Sequence, residues 1–114
     1  MGEIEGGQIS MEDFEGKTFD DGMVSYTIHE HLAVLERYEG REVPWAKELN
    51  IVSWNGGEPK IDIRDWDVST HRRMSRGITL TEEQAEKMTM ALVQRYRARA
   101  EHNLNKSERV SFER

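Results

Sequence analysis

The chain has 114 residues, no cysteine and a formal net charge of −6. That length allows one domain at most; the missing cysteines exclude a disulfide framework, thiolate catalysis and a thiolate metal cluster; and no apolar run approaches the roughly 20 residues of a membrane span. The charge opposes a polyanionic partner only if it is evenly spread, and it is not: residues 1–22 carry seven acids against Lys17, while the rest holds 15 acids and 15 bases.

Residues 1–22 are acidic and glycine-containing, with few apolar side chains. Such a segment buries too little surface to offset its ordering entropy, so it reads as disordered. Its start has neither the basic end nor the apolar stretch of a secretory signal, and the expectation is a cytoplasmic protein. Val24 to Arg37 reads as the first strand, with a slip in alternation at Glu30–His31 that marks a bulge. His29 and His31, two apart, fall on one strand face; no acid–His–Cys constellation accompanies them, so they read as solvent-facing and no metal site is expected. Tyr38 to Ala46, with Gly40 and Pro44, is a loop.

Lys47 to Asn55 reads as the second strand. Leu49 and Ile51 lie on one face, and Asn50, Val52 and Trp54 on the other. Asn55-Gly56-Gly57 signals a tight turn into a third strand at 59–67. There Lys60, Asp62, Arg64 and Trp66 fall on one face, and Ile61 and Ile63 on the other. Burying the two isoleucines leaves a row of two cations, a carboxylate and an indole on the opposite face. With no second helix to cover it, that face is expected to stay open, and Trp54 shares it across the hairpin. A cation–aromatic row on a rigid sheet suits a flexible polyanion with stacking bases. Asp62 reads as a charge partner of Arg64 or Lys60. Val68 to Ser75 is a polar, basic loop with His71, Arg72 and Arg73, and Arg76 to Thr81 is a fourth strand.

Thr81-Glu82-Glu83-Gln84 is a capping box that opens a helix running to about Ala100. Ala85, Met88, Leu92 and Tyr96 form a stripe at helical spacing, which Met90, Ala91 and Val93 widen. The helix is expected to cover one sheet face. Its excess apolar surface points to a second copy, with Met88, Ala91, Leu92 and Tyr96 at the interface. Residues 101–114 read as a frayed polar tail. The expected fold is therefore α+β: a four-stranded antiparallel curved sheet followed by one C-terminal helix (ββββα), spanning residues 23–100 and dimerising through the helices.

Three stretches in order, Leu49-Asn-Ile-Val-Ser-Trp-Asn-Gly-Gly, Lys60-Ile-Asp-Ile-Arg-Asp-Trp and Met74-Ser-Arg-Gly-Ile-Thr-Leu-Thr-Glu-Glu, resemble the bacterial, YdbC-type branch of the transcriptional positive cofactor 4 family. The resemblance spans about residues 24–96. It implies the ββββα fold, a helix-mediated homodimer and binding of single-stranded DNA on the sheet, in transcription regulation or DNA maintenance, with no catalytic site. The family's sheet-face positions match Trp54, Lys60, Arg64 and Trp66, and its basic segment matches His71 to Arg76. Lys47, Trp54, Lys60, Arg64, Trp66, His71, Arg72, Arg73 and Arg76 form the candidate binding set, for DNA or RNA, and the transcription machinery is a further expected partner. No cofactor is expected, and the location expected is the nucleoid. The competing reading is a protein-interaction module that recruits a transcription or repair partner without touching nucleic acid.

Overall fold

The computed structural model describes residues 14–112 apart from 21 and 41, with side chains as far as 106 in the helix. Five strands form one antiparallel sheet in chain order: β1 (Thr18–Asp20), β2 (Ser25–Tyr38), β3 (Trp45–Trp54), β4 (Lys60–Asp67) and β5 (Ile78–Leu80). One helix follows, α1 (Glu82–Phe112). The expected antiparallel α+β order is present, with one strand more than predicted. The extra strand lies in the acidic segment. Thr18 pairs with Thr27, Phe19 with Tyr26 and Asp20 with Ser25. Disorder is therefore the wrong reading for residues 14–20, whose aromatic side chains Phe14 and Phe19 are buried; residues 1–13 lie outside the described residues.

Local chemistry explains the connections. The β1–β2 turn is an Asx turn, with the Gly22 amide donating to Asp20 Oδ1 at 2.8 Å. The β3–β4 hairpin turns on Asn55 and Gly56, with φ of 52° and 76°. Positive φ at both central residues is the type I′ requirement that Asn-Gly satisfies. Asn55 also ties this turn to β2: its Oδ1 accepts from the Ser25 amide at 2.9 Å, and its own amide donates to Ser25 O at 2.6 Å. The slip expected in β2 is the first of three register shifts against β3, at Ile28/Glu30, His31/Ala33 and Val34/Glu36. It puts His29 and His31 on opposite faces, not on one. His29 bonds Ser53, whereas His31 pairs with Asn50.

Paired residues project to the same side of a sheet. One face therefore gathers Tyr26, Ile28 and His31 from β2, then Trp54, Val52, Asn50, Glu48 and Ala46 from β3. Lys60, Asp62, Arg64 and Trp66 complete it from β4. The expected β4 parity is thus present, but the face is not open. Phe14, Phe19, Tyr26, Ile28, Val52 and Trp66 form the core on this side, with Trp54 and Met74 packed against them. The other face carries Leu49, Ile51, Ile61, Ile63 and Leu80, of which Ile61 is buried and the rest half-buried.

Residues up to Thr81 and those from Glu82 form two compact units. The second is α1, which starts where the capping box predicts, with Glu82 and Glu83 at its positive end. It runs through Phe112 and so replaces the frayed tail expected after residue 100. Met88, Met90, Leu92, Val93, Tyr96 and Leu104 are all exposed on it. No described helix is long and apolar enough to cross a membrane.

Candidate nucleic-acid interface

Arg64 is the most constrained cation of the sheet. Its Nε and Nη2 donate to the two carboxylate oxygens of Asp62 at 2.7 and 2.8 Å. Nη1 donates to Ser75 O at 3.3 Å. Asp62 is fully buried and also accepts from the Thr79 hydroxyl at 3.1 Å. The expected Asp62–Arg64 pairing is therefore present, in the bidentate form that fixes a guanidinium in one plane. That plane lies over Trp54, with Cζ 4.5 Å from the ring centroid. Gly77 makes the arrangement possible. A Cβ there would collide with Arg64 Cβ and with Ile63 O.

The basic loop after β4 is built around Asp67. Its Oδ1 accepts from the Ser69 amide at 2.9 Å; its Oδ2 accepts from the Thr70 hydroxyl at 3.1 Å and from Arg73 Nε at 3.3 Å. Burial pushes the Asp67 carboxyl up, but these bonds and the Arg73 charge outweigh it, leaving its pKa below the ordinary value. The loop presents Arg72, Arg73 and Arg76 exposed. Arg72 reaches back over Phe19, 5.4 Å from the ring centroid. Phe19 stacks on Tyr26 at 5.1 Å, and Tyr26 meets Trp54 at 5.4 Å. A series of aromatic rings thus runs across the sheet with an arginine over each end.

The candidate residues do not all meet. Lys60, Arg72, Arg73 and Arg76 are exposed, and Trp54 and Arg64 are partly so. Trp66 is 0% exposed. It contacts Tyr26 and His71 at ring-centroid distances of 5.4 and 5.6 Å. The open-face expectation fails for Trp66 because it is packed in one buried core with Phe14, Phe19 and Tyr26, with the loop's His71 against it. His71 is also buried, and Lys47 projects to the other face, where it pairs with Asp65 at 3.3 Å.

A buried polar cluster lies on the same face and escaped the sequence reading. Glu48 accepts from His71 Nε2 at 3.0 and 3.1 Å and from Asn50 Nδ2 at 3.0 Å. His31 Nδ1 donates to Asn50 Oδ1 at 2.7 Å and stands 3.6 Å from Glu48. Burial alone would raise the Glu48 carboxyl; the bonds from His31, His71 and Asn50 bring it down to about 2. The Glu48 contact conversely raises His31, against the opposing effect of burial. His31 and His71 are thus structural partners of a buried carboxylate. Among the described residues no group of three or more His, Cys, Asp or Glu side chains is placed to hold a metal ion.

Comparison with known proteins bears on the same stretch. Residues 42–91, from just ahead of β3 into α1, match the family Transcriptional Coactivator p15 (PC4). That stretch is similar to PC4. A protein of Treponema pallidum (strain Nichols), described as uncharacterized, is 46% identical over 37 residues. Those residues are 32% of this chain and 42% of that protein, so the match spans less than half of either. The PC4-like stretch contains Trp54, Lys60, Arg64 and the three loop arginines. Phe14, Phe19 and Tyr26, which cover or extend the ring series, precede it. Two phenylalanines, the only aromatic residues of the acidic segment 1–22, were the signal available for them in the sequence.

Proposed function

We propose that this PC4-like domain binds single-stranded DNA with little sequence preference, in transcription regulation or DNA maintenance. The observation that carries the reading is the Trp54–Arg64 stack, clamped by Asp62 and flanked by exposed Lys60, Arg72, Arg73 and Arg76. A planar cation and an indole held together offer stacking surfaces to an unpaired base, and the exposed cations around them suit phosphates. A match to a coactivator family over the same residues supports it. The exposed apolar side chains of α1 support a homodimer through Met88, Ala91, Leu92 and Tyr96, since an apolar helix stripe is costly to leave in water.

Lys60 and Arg76 give the cleanest test, because both are exposed. Lys60→Ala and Arg76→Ala should each weaken binding of a labelled single-stranded oligonucleotide and lower the salt slope by about one. Unchanged affinity and slope in both variants would remove the proposed face.

A further inference from the structure

Residues 14–20 cover the sheet face in a way that resembles a bound single strand. The Phe14 ring lies flat on His71, with centroids 3.8 Å apart and planes 16° apart, and meets His31 edge-on at 5.7 Å. Next to it, a Glu15 carboxylate oxygen accepts from the His31 amide at 2.7 Å. Further on, Phe19 fills the space between Tyr26 and the Arg72 guanidinium. A flat ring on an aromatic floor, an anionic oxygen on a backbone N–H and a second ring under an arginine are what an unpaired nucleotide run would supply.

Resting on the nucleic-acid reading above, we propose that residues 14–20 are an intramolecular strap, and that beneath it His71 and Tyr26 form base-stacking subsites for an unpaired nucleobase. The strap and a single strand compete for one face. When it lifts, β1 peels from β2, Phe14 leaves His71, and Arg72 is freed from Phe19 to meet a phosphate. Only three residue pairs hold β1, at the edge of the sheet, whereas β3 and β4 are joined by eight, so β1 can peel away without parting the central strands. The acids upstream of it in the sequence, Glu3, Glu5, Glu12 and Asp13, add repulsion toward an incoming polyanion.

The test locks the strap. Thr18 and Thr27 are directly paired, with hydroxyls 2.7 Å apart, and the chain has no other cysteine to interfere. In the full-length chain carrying Thr18→Cys and Thr27→Cys, oxidation holds β1 down and reduction releases it. Anisotropy of a fluorescein-labelled oligothymidine should show the oxidised form binding roughly tenfold or more weakly, because the competent state is removed. Reduction should restore the parent affinity. Phe14→Ala, checked for folding by circular dichroism, should bind more tightly than the parent. Equal affinity of oxidised and reduced forms while the parent binds overturns the strap and leaves the binding reading intact. A folded Phe14→Ala chain that binds no more tightly also overturns it. Absence of binding by the parent overturns the nucleic-acid reading, and the strap with it.

Discussion

The buried Glu48 carboxylate should dominate the acid stability of the sheet. Its pKa falls from 4.5 to about 2 on folding. At about 1.4 kcal/mol per unit, the shift corresponds to roughly 3 kcal/mol of folded-state preference for the ionised form. A carboxyl depressed by folding contributes fully above its unfolded value and loses that contribution as pH falls through its folded value. The loss should therefore develop between pH 4.5 and about 2. Asp67, also depressed, loses its contribution in the same direction. His31 acts in the opposite sense. Raised above 6.5 mainly by its contact with Glu48, it contributes below 6.5 and loses that contribution as pH rises through its folded value. Glu48→Gln keeps the shape and removes the charge, so it should abolish the Glu48 share of the acid loss and relax the His31 effect. Urea unfolding read by tryptophan fluorescence reports on the sheet alone, since Trp45, Trp54 and Trp66 all lie in it. A Glu48→Gln chain with the parent's full stability loss between pH 4.5 and 2 would refute the reasoning.

Three further outcomes follow from packing. Trp66→Ala removes a fully buried core ring and should cost about 3–5 kcal/mol of folding stability; a thermal melt within a degree or two of the parent's would contradict that placement. Gly77→Ala forces a Cβ into Arg64 and the Ile63 carbonyl, so it should destabilise the β4–β5 edge by about 1–3 kcal/mol, read by urea unfolding; a parent-like midpoint would contradict the close approach. Leu92→Asp puts a charge in the proposed helix interface and should convert dimers to monomers in multi-angle light scattering at micromolar concentration; a monomeric parent would contradict the dimer.

Much of the sheet was legible because its signals are local. The alternation in Lys60–Trp66, the Asn55-Gly56 turn and the Thr81 capping box each fix geometry within a few residues, and the observed elements start and stop close to them. What lies over the sheet was not legible. Parity assigned Ile61 and Ile63 to one face and Trp66 to the other, which holds. It does not tell whether the second face is covered. The cover comes from Phe14 and Phe19, some fifty residues from β4 in sequence, and a segment judged by average composition hides two well-placed rings. The polar residues beneath gave a second misleading cue. Glu48 looks like a surface residue until His31 and His71 are seen against its carboxylate. Such pairing is a tertiary property that spacing along the chain does not encode.

The most direct test of the account compares one oligonucleotide in two forms. Anisotropy titrations of the parent chain with a labelled single strand, and with the same strand annealed to its complement, should be run at low and at physiological salt. The account predicts tighter binding of the single strand, because its bases are free to stack, with affinity falling as salt rises. Duplex binding as tight as single-strand binding, or no single-strand binding at low salt, would contradict it.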